Sequence, residues 1–141
     1  MSTEATPDTL KVLVYSDDRT IRDQIRLALG RRLGADLPDL EIFDTATPDA
    51  TVRAVDQNAY DLLIFDGEAV PHGGMGLAYQ LKDEVPNCPP VLVLVQRVAD
   101  AWLATWSKAD AIQALPVDPI RLPQAAADLV RRHRAGLEVT H

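Results

Sequence analysis

Five short apolar runs, each followed by a segment whose apolar residues return at helical spacing, constrain this chain more than any other feature. The runs fall at 11–16, 40–43, 62–65, Val91–Val95 and 111–115, and each is too short for a helix. Val91–Val95 is unbroken in its hydrophobicity, as expected of a strand covered on both faces, and 111–115 is the weakest. Between them, Asp17 or Asp18 can cap a helix carrying Ile21, Ile25, Ala28, Leu29 and Leu33, a pattern weakened by Gly30 and Gly34. Thr47-Pro48-Asp49 opens a second helix with Val52, Val55 and Ala59 on one face. A glycine-rich loop over 67–76 leads into a third, with Leu77, Ala78, Leu81 and Val85 inward and Pro86 as its stop. A short helix is expected over 99–107. The last helix starts near Pro119, is disturbed by Pro123, and ends in Arg131-Arg132-His133-Arg134.

Strand and helix alternating through short connections require right-handed crossovers, and therefore a parallel sheet between helical layers. The fold class is α/β, a three-layer (βα)5 sandwich. Periodicity alone does not order the strands. A flavodoxin-like order, 2-1-3-4-5, sets the first and third side by side, with Asp17, Asp18 and Asp66 in one pocket at their carboxyl ends, where such sheets bind ligands. Clustered carboxylates there suit a divalent cation or phosphoryl transfer.

The 141 residues fit one domain over 10–134, between a polar tail over 1–9 and a short tail over 135–141. A formal net charge of −7 opposes attraction to nucleic-acid phosphates, so no nucleic-acid partner is expected. The apolar runs are far below the roughly 20 residues of a membrane-spanning helix, and the start lacks the basic flank and apolar stretch of a secretory signal. The expected location is cytoplasmic, with no direct membrane insertion. Cys88 is the sole cysteine, which excludes an internal disulfide and a thiolate metal cluster.

From Lys11 to Val130 the chain resembles the receiver domain of two-component response regulators, the CheY-like family. The resemblance is carried by Asp17-Asp18 after the first strand, Asp66 after the third, Pro71 and Gly76-Leu77 before the third helix, and Ala109-Asp110-Ala111 before a last strand ending at Pro116. It implies that Asp66 accepts a phosphoryl group, while Asp17, Asp18 and the backbone carbonyl of Glu68 join it around Mg²⁺. A carboxylate nucleophile attacking a phosphoryl donor needs such a hard cation to neutralise the crowded negative charge.

Several positions depart from the receiver pattern. Val95 stands where receivers end the fourth strand in Ser or Thr, and Leu115 stands where they place a Lys before Pro116. Val has the shape of Thr without its hydroxyl, and the two replacements remove one neutral and one charge-assisted contact to a phosphoryl group, the latter of order 1.5–3 kcal/mol. Ile112 replaces the aromatic residue that reorients when receivers switch, and Pro71 and Gly76 come later after Asp66 than the family spacing. Arg97 is the nearest substitute cation in sequence. The glycine-rich loop lacks the Lys and Ser/Thr of a phosphate-binding loop, and His72 has no second His or Cys at ligand spacing.

Trp102 and Trp106, four apart on the short helix, are the candidates for a partner-binding surface, because receivers dock partners and dimerise through the last strand and the helices flanking it. The expected function is that of a stand-alone, atypical receiver, independent of phosphorylation and not an enzyme, which acts as a regulatory or accessory component by binding a protein partner. No cofactor is required on that reading. The alternative is a genuine single-domain regulator phosphorylated at Asp66 with Mg²⁺ by a histidine kinase or a small donor. A Mg²⁺-dependent phosphatase with Glu68 as general acid is a weaker third.

Overall fold

The computed structural model describes residues 9–69, 73–96 and 108–139, and side chains within them except those of 73–75 and 137–139. The elements in order are β1 (Leu10–Tyr15), α1 (Arg19–Leu29), β2 (Leu40–Thr45), α2 (Pro48–Gln57), β3 (Leu62–Asp66), α3 (Gly73–Glu84), β4 (Val91–Val95), β5 (Ala111–Ala114) and α4 (Arg121–Val139). The five strands form one parallel sheet in the order β2-β1-β3-β4-β5, as the flavodoxin-like reading expects.

Strand alternation divides the core into two layers. Leu10, Val12, Val14, Leu62, Ile64, Leu92 and Leu94 pack against Ile25 and Leu29 of α1 and Leu122, Ala126 and Val130 of α4. The intervening residues Leu13, Tyr15, Leu63, Phe65, Val91, Val93 and Val95 pack against Val55 of α2 and Leu77, Ala78 and Leu81 of α3. The central strands are therefore apolar at nearly every position because both faces are covered. Burying one such Val, Leu or Ile side chain contributes about 1.5–3 kcal/mol, so this double layer is the main source of stability.

Local chemistry sets the boundaries. The first helix ends at Leu29, short of Leu33, because Gly30 takes φ 66 and its N–H closes on the Arg26 carbonyl at 3.0 Å. Thr47 caps α2 by accepting from Ala50 N at 3.1 Å, with Pro48 in the first turn. Asp118 accepts from Ile120 N at 2.8 Å and Arg121 N at 2.9 Å, opening α4. Leu122 N already bonds to the Asp118 carbonyl at 3.0 Å, so Pro123, with no N–H to continue that run, does disturb the start of the helix, and the regular helix begins at Arg121. The helix continues to Val139, so residues 135–139 extend it where a tail was expected. The expected helix over 99–107 falls outside the described residues.

Candidate functional site

The sheet register builds the site. Pairing of Tyr15 with Phe65 makes Ser16 and Asp66 the next lateral neighbours on β1 and β3. Both continue the parity of Val14 and Ile64, so both side chains turn to the same side of the sheet, whereas Asp17 is out of phase. The Ser16 hydroxyl donates to Asp66 Oδ2 at 2.8 Å and accepts from Asp18 N at 3.0 Å. Glu68 N donates to the other oxygen, Asp66 Oδ1, also at 2.8 Å. Asp66 is thus 3% exposed, with a protein donor on each carboxylate oxygen.

Burial pushes the Asp66 carboxyl above its usual range. The Glu68 N–H and the Ser16 hydroxyl pull it back down, while the charges of Asp17 and Glu68 push it up again. Glu68 itself is tied across the site, its carboxylate accepting from Gln96 N at 3.2 Å. Beside it, Gly67 answers a steric demand, since a Cβ there would meet the Leu94 carbonyl oxygen at 2.5 Å and Val93 Cγ1 at 3.2 Å. That close approach accompanies the 2.7 Å bond from Gly67 N to Leu94 O, which ties the Asp66 turn to β4.

Of the two acids expected to be able to cap the first helix, Asp18 does so. It is the N-cap of α1, its Oδ1 accepting from Thr20 N at 2.8 Å. Asp17 is exposed and close enough for its charge to act on Asp66 and Tyr15. The donor types are those a hard cation prefers. Among the described residues no three His, Cys, Asp or Glu side chains are placed together to hold a metal ion.

The altered switch positions are occupied by packing. Val95 lies within the layer facing α2 and α3, with Ile112 against it. Leu115 packs on the opposite layer, its N–H bonded to the Val95 carbonyl at 2.7 Å. Trp102, Trp106, Arg97, Pro71 and His72 lie outside the described residues.

Three contributors escaped the sequence reading. Ser16 looked like the last residue of an apolar run, and only the strand register reveals it as the partner of Asp66. Arg22 donates from Nη1 to the Ser16 carbonyl at 2.7 Å and stands 3.5 Å from Asp44 on β2, steadying the β1–α1 turn from below. Tyr15 is fully buried, edge-on to Phe65 at 5.9 Å, and its hydroxyl has no hydrogen-bond partner among the described residues. Its pKa is raised by burial first, then by the charges of Asp17 and Asp66. A lone phenol in an aliphatic run was the available signal.

An uncharacterized response regulatory protein of Mycobacterium tuberculosis, in strains CDC 1551 and H37Rv, is 51% identical over 122 residues, 86% of this chain and 92% of that protein. This chain belongs to the response-regulator family. No family profile matches it. Among solved structures, the CheY-like receiver domain protein of Methanospirillum hungatei JF-1 superposes with a TM-score of 0.75 at 17% identity, covering 92% of this chain and 99% of that one. A receiver domain protein of Clostridium thermocellum gives 0.74 at 23%, covering 89% and 98%. These likenesses show the receiver fold of the regulator. No helix among its described residues is long and apolar enough to cross a membrane.

Proposed function

We propose that this regulator is an atypical receiver that works by contact with a protein partner, independently of phosphorylation and without catalysing a reaction on an external substrate. The observation that carries the reading is the internal satisfaction of Asp66, held by Ser16 Oγ and Glu68 N at 2.8 Å each. A nucleophilic carboxylate must release such donors and gain a cation to accept a phosphoryl group. Ser16 supplies a fixed neutral donor where a second acid would recruit a metal. Val95 and Leu115, packed in the two core layers, offer neither a hydroxyl nor a cation to the product.

Mg²⁺ is not required on this reading. When bound, it would be held by Asp17 and Asp66, and it would supply charge neutralisation at the carboxylate. The chain's own part is independent of it: Ser16 and Glu68 orient Asp66, and Gly67 lets the turn close on β4.

The test is incubation with Mg²⁺ and acetyl phosphate or phosphoramidate, followed by intact-mass measurement. The unmodified mass is expected. A stable single phosphoryl adduct that disappears in Asp66→Asn would establish the competing reading, a phosphorylated regulator served by a histidine kinase.

A further inference from the structure

At the end of the sheet opposite Asp66, a cleft of about 250 Å³ opens between the C-terminal half of α3, the turns entering β4 and β5, and the second half of α4. Its ionic lining is Lys82, Asp110 and Arg132, joined by the His133 ring, with Leu129 and Cys88 as apolar wall. Lys82 Nζ lies 2.6 Å from Asp110 Oδ2, an oxygen that also accepts from Val91 N at 2.8 Å. Arg132 is different. Among the described residues it has no carboxylate partner, and its one hydrogen bond is a 3.4 Å contact from Nε to the Asp128 carbonyl of its own helix.

We infer that this cleft is a binding site for a compact oxyanion, the phosphate head of a small phosphorylated molecule, gripped by Arg132 and flanked by Lys82 and His133. The guanidinium fork fits two oxygens of such a group, and the Lys82 ammonium, held in place and neutralised by Asp110, offers a further N–H donor rather than a free charge. The volume is below the usual range of drug-sized pockets, about 300–1,000 Å³, which limits the occupant to a small molecule. With a net charge of −7 the chain repels anions at long range, so local geometry rather than the general field must select the ligand. The site is separate from Asp66, and its test is independent of the phosphorylation experiment.

Inorganic phosphate is the probe, titrated against amide chemical shifts of the full chain, with sodium chloride at matched ionic strength as the reference. Saturable shifts at Val91, Asp110 and Arg132 are expected with phosphate and not with chloride. Arg132→Ala should weaken binding by roughly tenfold, as loss of a charge-assisted fork implies. Arg53→Ala removes the same charge from an exposed position on α2 and should leave binding unchanged. Both arginines are exposed, so circular dichroism should report both variants folded. Shifts that track ionic strength alone, saturation at other amides, or equal affinity in Arg132→Ala would each overturn the inference.

Discussion

Replacing Ser16 with Ala tests whether the Ser16 to Asp66 contact holds the site together. The hydroxyl is fully buried, donates to a carboxylate at 2.8 Å and accepts from Asp18 N at 3.0 Å. Its loss removes one charge-assisted and one neutral hydrogen bond and leaves a buried carboxylate oxygen without its donor. Contacts of these kinds contribute about 1.5–3 and 0.5–1.5 kcal/mol, and relaxation of the exposed Asp18 amide toward water offsets part of the second, so a net loss of about 2–3 kcal/mol is expected at pH 7. For a domain of this size that lowers Tm by roughly 8–12 °C. The loss must also depend on pH. Without the Ser16 donor the Asp66 carboxyl rises further, and once protonated it no longer needs that donor, so the penalty should shrink at mildly acidic pH. Thermal and urea unfolding at pH 7 and 4.5, run as a double-mutant cycle with Asp66→Asn, isolates the pair from each residue's other contacts. A Tm change below about 2 °C, or a penalty equal at both pH values, would refute the argument.

Further expectations come from neighbouring geometry. The Asp66 carboxyl is raised in the folded state, so the native protein binds more protons than the unfolded chain above the ordinary value of 3.8, and stability should fall as pH rises from there through the folded pKa. Asp66→Asn should remove that slope and raise Tm at neutral pH, and an unchanged pH profile by calorimetry would contradict the burial argument. Gly67→Ala should cost about 1–3 kcal/mol in urea denaturation, because its Cβ lands 2.5 Å from the Leu94 carbonyl oxygen. Val95→Thr should cost about 1–3 kcal/mol by placing a hydroxyl in an apolar layer, and a neutral result would mean that this position meets a polar partner. Arg131 donates to both oxygens of Asp36 at 2.8 and 2.9 Å and holds its carboxyl at about 2; NMR titration of Arg131→Ala should return Asp36 to the ordinary range.

Sequence alone determined the architecture, because the fold depends on periodicity and punctuation repeated many times along the chain. Runs such as Val91–Val95 have no exposed face to serve, Thr47-Pro48 marks a helix start by local backbone chemistry, and a parallel sheet follows from the connections. The positions of Asp66, Val95 and Leu115 were legible for the same reason, each standing at the end of an apolar run. Tertiary structure decided what those residues touch. The sequence singles out Asp17 and Asp18 and passes over Ser16, yet a single step of strand register sends Ser16 to Asp66, and of the two acids able to cap α1 it is Asp18 that does so. Arg22 and the basic cleft around Arg132 were equally hidden, since both depend on distances between residues remote in the chain. Hydrophobic pattern is a property of segments and survives in the sequence; a site is a set of contacts between segments, and those come into existence only when the sheet closes its register.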